Sequence, residues 1–286
     1  MCKTHHEKEA FGIKRWTSPL YTGPKKRHTV GRTAHRPGGS LINKNNLKTV
    51  YSHILRQEVC FWYYIPEAPR GLLYLMHGNR GRCTDWAEHT NIGALAEQYG
   101  LAVVAPDFAD SYCTDTADGR PWFHYLTREL PDLAAEAVGR RFSPAETYIC
   151  GLSAGGYGAL KWAFACPGSF VACAALSAVT DMAARIALLP AERLDSFRPI
   201  FGQELTVSPE NDLPRLTREA DSRRKEMPVF LACGTGDSFL EMNNAYHRLL
   251  TQLEVPHTYR TGPGGHRWEF WRQWLPTALA WMTEQR

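Results

Sequence analysis

The fold prediction begins at the stretch Cys150-Gly151-Leu152-Ser153-Ala154-Gly155-Gly156. It contains the pattern Gly-x-Ser-x-Gly, with a strand-like run before it (residues 146–150) and a helical run after it (residues 157–165). A serine at such a strand-to-helix turn has a strained backbone, and its hydroxyl points out at the carboxyl edge of the sheet. The pattern therefore predicts that Ser153 is a nucleophile.

A serine in this position has a second interpretation, because serines that precede helices commonly cap them. The short pattern also arises by chance in unrelated chains. The surroundings favour a nucleophile, since strand and helix flank the turn in the required order and small residues follow it. These small residues are Gly155, Gly156, Gly158 and Ala159.

Strand-like and helical segments alternate along most of the chain. The predicted strands are 72–76, 101–105, 146–150, 171–176, 229–233 and 257–259, and the predicted helices are 85–99, 122–142, 157–165, 243–253 and 269–283. This alternation predicts an α/β fold with a mostly parallel central sheet flanked by helices. Residues 51–65 and 71–76 are expected to form an antiparallel strand pair that leads into the sheet.

The chain divides into two predicted parts. Residues 1–45 are basic and have few apolar positions, so we expect a flexible extension, whereas residues 46–286 are long enough for one α/β domain. Residues 181–226 lie between two predicted strands and are too long for an ordinary connection. We interpret them as a cap-like insertion with short helices over the site, and the alternative is an exposed insertion without substrate contact.

The composition does not favour a nucleic-acid-binding protein. Charged residues make up 22 % of the chain and the net charge is only +4, which is ordinary for a folded protein. The basic cluster Lys25, Lys26, Arg27, Arg32 and Arg36 is compatible with an anionic partner. It lacks interleaved aromatic residues, however, so a solvated leader is favoured and no nucleic-acid partner is expected.

The eight cysteines show neither metal-ligand spacing nor a disulfide pattern. We therefore expect no metal, no cofactor and a reducing, cytoplasmic location. No apolar run has the length of a secretory signal or a membrane span, so no membrane association is expected. The sequence is compatible with a homo-oligomer.

Two residues downstream of the serine are candidates for a base and an acid. His266 ends the glycine-rich run 262–266, and Asp237 ends the run 233–237 directly after a predicted strand. An imidazole held by a carboxylate is what a serine nucleophile requires. Asp237 has the alternative role of capping the next helix, and Asp181 and Asp212 are the other candidate acids.

The developing oxyanion needs two N–H donors. We expect them to be the backbone N–H groups of Ala154 and Asn79, the latter in the loop 77–81 after an early strand. His77 in that loop is expected to brace it through hydrogen bonds. Aromatic residues near the same edge are candidates for a substrate pocket, or alternatively for ordinary core positions. The candidate pocket residues are Trp86, Tyr112, Trp122 and Trp268.

Taken together, these motifs resemble those of the esterase D and tributyrin esterase group of α/β-hydrolases, which also includes S-formylglutathione hydrolases, feruloyl and acetylxylan esterases and mycolyltransferases. The matching segments are 75–81 with Asp85-Trp86, 114–119, 125–131, 151–159, 233–237 and 264–271. The resemblance implies the α/β-hydrolase fold and carboxylesterase activity, often on short acyl chains, without a metal or an organic cofactor.

The chain departs from the group at two positions. Ala154 stands where the group usually has Met, and Gly236 where it usually has an acidic residue. Only the N–H of Ala154 is needed for an oxyanion, so we expect activity with an altered acyl pocket. The expected function is a serine carboxylesterase for short acyl esters. The alternatives are an acyltransferase, a thioesterase, a feruloyl or acetylxylan esterase, or a catalytically silent binding protein.

Overall fold

Eight strands form a single sheet in the computed structural model, which describes residues 46–220 and 226–285. The strands are β1 (Leu47–Ser52), β2 (Gln57–Tyr64), β3 (Gly71–Met76), β4 (Leu101–Pro106), β5 (Thr147–Leu152), β6 (Cys173–Leu176), β7 (Val229–Gly234) and β8 (His257–Gly262). Their order across the sheet is β1-β2-β4-β3-β5-β6-β7-β8. The predicted extension, residues 1–45, lies outside the described residues.

The sheet is antiparallel at one edge and parallel elsewhere. Strand β1 pairs with β2, and β2 pairs with β4, in antiparallel register, whereas β3 to β8 run parallel to one another. The predicted pairing of residues 51–65 with 71–76 is therefore wrong. Residues 51–65 contain a turn and most of a hairpin, and the fully buried β3 takes a central place where both of its faces are covered.

Helices cover both faces of the sheet, as predicted. They are α1 (Asp85–His89), α2 (Ile92–Tyr99), α3 (Trp122–His124), α4 (Leu130–Val138), α5 (Ala154–Ala165), α6 (Met182–Ala187), α7 (Ala191–Leu194), α8 (Arg198–Phe201), α9 (Leu213–Arg218), α10 (Leu240–Gln252) and α11 (Trp268–Thr283). A π-helical turn joins α3 to α4, and the predicted helix 85–99 is interrupted between α1 and α2. Among the described helices, none is both long and apolar enough to cross a membrane.

The core has two halves, one on each face of the sheet. Along β3, Leu72, Tyr74 and Met76 belong to one cluster of buried side chains, and Leu73 and Leu75 belong to the other. This alternation is the period-2 pattern of a strand, and it shows why β3 is apolar throughout. The predicted mostly parallel sheet with two covered faces is confirmed.

Helix α5 approaches the sheet more closely than side chains would allow. A Cβ atom on Gly155 would lie well under 3.0 Å from the carbonyl oxygens of Met76 and His77, and one on Gly151 would meet the backbone of Gly155. Glycines at these positions therefore let the helix start directly above the end of β5. This close approach positions Ser153 between β5 and α5.

The insertion between β6 and β7 carries the short helices α6 to α9 in its described part. It is packed against the domain, because Phe197 and Leu213 are buried in the core. Lys161 of α5, which is also buried, donates hydrogen bonds to the side-chain oxygen of Asn211 (2.6 Å) and to the backbone oxygen of Cys113 (3.1 Å). The described part of the insertion is therefore packed against the domain, and its role as a cap over the site stays a prediction.

Candidate active site

Ser153 lies on a sharp turn between β5 and α5, as the sequence pattern predicts. Its φ and ψ angles are 53° and −117°, a strained conformation for a residue with a side chain. Backbone hydrogen bonds hold it there: its N–H donates to the oxygen of Leu176 (2.9 Å), and its oxygen accepts from the N–H groups of Tyr157 (3.0 Å) and Val179 (3.2 Å). The hydroxyl is thereby presented at the carboxyl edge of the sheet.

The structure brings the predicted base and acid together with the serine. The Nε2 atom of His266 lies 2.9 Å from the Oγ atom of Ser153. The Nδ1 atom of the same ring lies 3.0 and 3.1 Å from the two carboxylate oxygens of Asp237. An ionised carboxylate only accepts hydrogen bonds, so Nδ1 carries the proton and Nε2 accepts from the serine hydroxyl.

Hydrogen bonds between the loops after β7 and β8 hold the acid and the base next to each other. The N–H of Gly236 donates to the oxygen of Gly264 (2.8 Å), and that of Thr235 donates to the oxygen of Gly262 (2.8 Å). A Cβ atom on Gly234 would collide with the backbone of Gly264, so the loops approach closely only because glycine is present. Parallel strands place both loops at the same edge as Ser153.

Aromatic rings on two sides fix the imidazole of His266. The centroids of the Phe239 and Trp271 rings lie 4.7 and 5.0 Å from the imidazole centroid, both in edge-on arrangements. Neither Phe239 nor Trp271 was predicted from the sequence to contact the site. Both follow the predicted acid or base within a few residues, and no pattern distinguishes them from other aromatic residues near helix starts.

Asp237 is placed to remain ionised. Burial raises the pKa of its carboxyl, but the hydrogen bond and charge of His266 and the N–H of Phe239 (2.9 Å) lower the pKa by more. The net pKa lies below the ordinary value for an aspartate. The alternative role of Asp237 as the cap of the next helix does not hold, because Phe239 precedes α10 and this helix start has no side-chain cap. The carboxylate instead accepts from the N–H of Phe239 in the turn before α10, in addition to its contact with His266.

The other candidate acids have different partners. Asp181 accepts a hydrogen bond from the N–H of Ala184 at the start of α6, and Asp212 accepts one from the N–H of Arg215 at the start of α9. Both are therefore helix caps. In the described residues, Asp237 is the acid that contacts His266.

The loop after β3 carries Asn79, the predicted second oxyanion donor. Asn79 lines the space beside Ser153, and Ala154 is the first residue of α5, where backbone N–H groups have no acceptor within their own helix. The buried His77 supports this loop: its Nδ1 donates to the oxygen of Gly78 (2.6 Å), its Nε2 accepts from the N–H of Phe108 (3.4 Å), and its ring stacks on that of Phe108.

Two depressions adjoin the hydroxyl of Ser153, with volumes of ≈ 280 Å³ and ≈ 320 Å³. Both are lined by Asn79, Arg80, Ser153 and His266. The first depression is completed by Gly78, Gly81, Asp85, Leu152, Trp268 and Trp271. The second is completed by Tyr112, Arg185, Arg193, Ser238 and Phe239. The two depressions therefore share the residues around Ser153 and differ in their remaining walls.

Two of the four predicted pocket residues line these depressions, and two do not. Trp268 lines the first and Tyr112 the second. Trp86 is fully buried; its Nε1 donates to the oxygen of Met76 (3.1 Å) and its ring lies behind that of Trp268. Trp122 turns into the core against Tyr125. Trp86 and Trp122 are therefore core residues, the alternative that the sequence left open.

Three arginines at the second depression were not identified from the sequence. Arg80 lies in the loop after β3, and Arg185 and Arg193 lie on α6 and α7 of the insertion. No sequence signal marks the last two, because packing of the insertion decides which of its many arginines face the site.

One set of side chains in the described part of the chain has the spacing of metal ligands. Cys60, Cys83 and Asp107 each place a ligand atom within 4.8 Å of the others, and the two sulfur atoms are 3.7 Å apart. None of these residues lines either depression. Thiolate and carboxylate ligands suit zinc.

Comparisons with known proteins agree with the geometry. A family model described as "Putative esterase" matches residues 52–282. An acetyl esterase of Caldicellulosiruptor saccharolyticus is 27 % identical over 221 residues, which are 74 % of this chain and 83 % of that protein.

Solved structures show the same fold. A fluorophosphonate-binding serine hydrolase of Staphylococcus aureus aligns with a TM-score of 0.76 and 24 % identity, over 83 % of this chain and 97 % of that one. An S-formylglutathione hydrolase of the same organism aligns with a TM-score of 0.73 and 24 % identity, over 83 % and 97 % of the two chains. The expected α/β-hydrolase fold is confirmed. Because the family match covers most of the chain, the protein belongs to this esterase family and is a serine hydrolase that acts on carboxylic esters.

Proposed function

We propose that the protein is a carboxylesterase that hydrolyses short-chain acyl esters through a triad of Ser153, His266 and Asp237. The observation that carries the proposal is the unbroken hydrogen-bonded path from the serine hydroxyl, through both imidazole nitrogens, to the carboxylate. A serine hydroxyl is a weak nucleophile at neutral pH, and such a path is what activates it.

In the first half of the reaction, the Oγ atom of Ser153 attacks the ester carbonyl carbon while its proton moves to Nε2 of His266. The ionised Asp237 stabilises the imidazolium that forms. The carbonyl oxygen becomes an oxyanion, to which the N–H groups of Asn79 and Ala154 donate. One such donor contributes about 10²–10³ in rate. The intermediate collapses, the bond to the alcohol oxygen breaks, and His266 returns the proton to that oxygen.

In the second half, water replaces the alcohol. His266 removes a proton from the water as its oxygen attacks the acyl carbon, and the same two N–H groups bind the second oxyanion. Collapse of this intermediate breaks the bond to Oγ, and His266 returns the proton to Ser153. The products are a carboxylic acid and the free enzyme, so the proposed cycle needs no cofactor.

The size of the two depressions supports short acyl groups. At ≈ 280 and ≈ 320 Å³, the depressions lie just below and at the lower end of the usual range for ligand pockets, about 300–1,000 Å³. The bulky rings of Trp268 and Trp271 border the first depression. The similarity to an acetyl esterase agrees with this choice. The seven cysteines in the described residues are free thiols, so we retain a reducing compartment, the cytoplasm, as the proposed location.

Hydrolysis of p-nitrophenyl acetate, butyrate and octanoate tests the proposal. We expect kcat/KM to be highest for acetate or butyrate, and to fall by about 10⁴ or more in Ser153→Ala. Ser143→Ala, an exposed serine at a 3₁₀ turn far from the site, is the matched control and should keep full activity. Hydrolysis that persists in Ser153→Ala would refute the assignment.

Acceptor experiments separate the alternatives that use the same triad. Faster p-nitrophenol release on addition of an alcohol would indicate an acyltransferase. A higher kcat/KM for a thioester, or for feruloyl or acetylxylan substrates, would indicate those activities. A folded protein that turns over none of these substrates would be a silent binding protein.

A further inference from the structure

The second depression has a wall of positive charge. Arg80, Arg185 and Arg193 line it together with Ser153 and His266. Two of these arginines come from the insertion and one from the loop after β3, so the depression collects them from separate parts of the chain. An uncharged ester has no anionic group with which three guanidinium groups near Ser153 could pair.

These arginines lack the carboxylate partners that neighbouring arginines have. Within residues 46–220 and 226–285, no ion pair forms within 4.0 Å of Arg80, Arg185 or Arg193. In the same insertion, Arg198 pairs with Asp195 (3.1 Å) and Arg215 pairs with Glu219 (2.7 Å). Arg198 and Arg215, which do not line the depression, thus have acidic partners, whereas the three arginines that line it have none among the described residues.

Two of the three guanidinium groups are also desolvated in part. The Nε atoms of Arg185 and Arg193 are buried and have no hydrogen-bond acceptor among the described residues. A buried donor without an acceptor lowers stability, so its retention calls for an explanation outside the free protein. An acceptor supplied by a ligand is such an explanation.

The position of Arg185 is fixed by aromatic rings. Its guanidinium carbon lies 5.5 Å from the centroid of Phe239 and 5.8 Å from that of Phe197. Phe239 also packs against the imidazole of His266. The charge is therefore held near the reacting groups before any substrate arrives, which reduces the entropic cost of binding an anion.

The arginines also influence Tyr112, which lines the second depression. Burial raises the pKa of the Tyr112 hydroxyl, and Arg185 and Arg193 both act against that rise. Asp110, the acidic group in this balance, has a smaller effect, and one of its oxygens already accepts a hydrogen bond from the backbone N–H of Arg80 (2.7 Å).

We propose that the second depression is an anion subsite, and that the preferred substrate is an ester that carries a carboxylate on the part bound beside Arg185 and Arg193. This inference rests on the proposed esterase function and names its substrate class. Guanidinium groups match a carboxylate through paired N–H donors, and such charge-assisted hydrogen bonds are strong. The carboxylate comes either from a dicarboxylic acyl group or from an acidic alcohol.

Selectivity between charged and neutral esters is the test. The three substrates are 4-nitrophenyl hydrogen succinate, with the charge on the acyl side; 4-acetoxybenzoate, with the charge on the leaving side; and neutral 4-nitrophenyl acetate. The quantity compared is the ratio of kcat/KM for each charged ester to that for the neutral one. We expect one or both ratios to fall by about tenfold or more in Arg185→Gln and Arg193→Gln.

Two further variants serve as controls for the loss of charge. Arg215→Gln removes a charge from the same insertion at a site already paired with Glu219, and should leave both ratios unchanged. Arg193→Lys keeps the charge and should retain more of the ratio than Arg193→Gln. A fall confined to the succinate ester places the anion on the acyl side, and a fall confined to 4-acetoxybenzoate places it on the leaving side. Equal ratios in wild type and both Gln variants would overturn the subsite.

Calorimetric titration with succinate separates failure of the subsite from failure of the esterase function. Succinate that binds the wild type and Arg215→Gln, but binds Arg185→Gln and Arg193→Gln about tenfold or more weakly, supports the subsite even if no ester is hydrolysed. If the neutral ester is hydrolysed, the kcat/KM ratios are unaltered and all variants bind succinate equally, the esterase function is supported and the anion subsite is refuted. Circular dichroism of each variant confirms that it is folded.

Discussion

The Nε2 atom of His266 lies 2.9 Å from the Oγ atom of Ser153, although 113 residues separate them in the chain. The contact exists because β5, β7 and β8 run parallel, so that the loops at their carboxyl ends share one edge of the sheet. Asp237 reaches the other side of the same imidazole from the loop after β7. The proposed chemistry thus depends on the sheet topology as much as on the residues themselves.

Asp237→Asn should lower kcat for ester hydrolysis by about 10⁴ while leaving the fold intact. An asparagine amide at this position can donate to Nδ1, which stabilises the imidazole tautomer that cannot accept the serine proton at Nε2. Steady-state kinetics with p-nitrophenyl acetate measures the effect. Asp212→Asn, at the cap of α9, is the control and should keep its activity, because asparagine caps helices as well as aspartate. Retention of more than about a tenth of kcat in Asp237→Asn would argue against the triad.

Gly155→Ala should prevent α5 from packing closely against the sheet. Its Cβ would lie well under 3.0 Å from the backbone oxygens of Met76 and His77, and the central strand β3, which ends at Met76, cannot move away. We expect a loss of at least about 3 kcal/mol in unfolding free energy, or no folded protein. Gly139→Ala is the comparison: its Cβ meets nothing within 4 Å, and only its left-handed backbone costs about 1–2 kcal/mol. Denaturant titrations that give equal losses for the two variants would contradict this account.

Lys161 gives stability a specific pH dependence. Burial lowers the pKa of its ammonium group in the folded protein to about 8, from 10.5 in the unfolded chain. Between these two values the unfolded chain binds more protons, so the contribution of Lys161 to the unfolding free energy rises with pH, and its cost is fully present below the folded pKa.

Lys161→Met removes that dependence. We expect the unfolding free energy of wild type, minus that of Lys161→Met, to increase by about 2 kcal/mol between about pH 7.5 and pH 10. The difference between the two proteins is the quantity to follow, because buried cysteines and tyrosines common to both also titrate in this range. Denaturant titrations at both pH values provide it, and a difference that stays constant or decreases would show that Lys161 is not desolvated as described.

Cys60 should be more reactive than the buried Cys150 and Cys173. A hydrogen bond from the Cys83 thiol lowers the pKa of Cys60 and outweighs its partial burial, whereas burial raises the pKa of Cys150 and Cys173. Timed alkylation with iodoacetamide at neutral pH, followed by peptide mass mapping, should show Cys60 modified first among these three. Cys83→Ala should slow its alkylation several-fold. Earlier labelling of Cys150 would invalidate the assignment.

The sequence predicts the fold and the three triad candidates because each is tied to a local signal. Ser153, Asp237 and His266 all occur in glycine-rich turns at the ends of apolar strands, and such turns place side chains at a common edge. The central strands were recognisable because burial on both faces makes them apolar throughout. What failed was strand pairing: nothing in residues 71–76 tells whether their neighbour is the preceding hairpin or a parallel strand.

The walls of the site are the part that local patterns could not predict. Trp86 and Trp122 follow strands or loops that end at the carboxyl edge of the sheet. The orientation of each ring, however, is set by packing against Trp268 and Tyr125, respectively. Arg185 and Arg193 reach the second depression because the buried face of the insertion fixes the orientation of α6 and α7. These placements depend on contacts between distant segments, for which one sequence carries no periodic signal.

Covalent labelling of the folded protein tests the central claim most directly. After incubation with a fluorophosphonate probe, intact-mass spectrometry and peptide mapping should show a single adduct on Ser153 at neutral pH. Labelling should disappear in Ser153→Ala and slow strongly in His266→Ala, which lacks the base. A folded wild-type protein that takes up no probe, or that carries the adduct on a different serine, would contradict the proposed nucleophile.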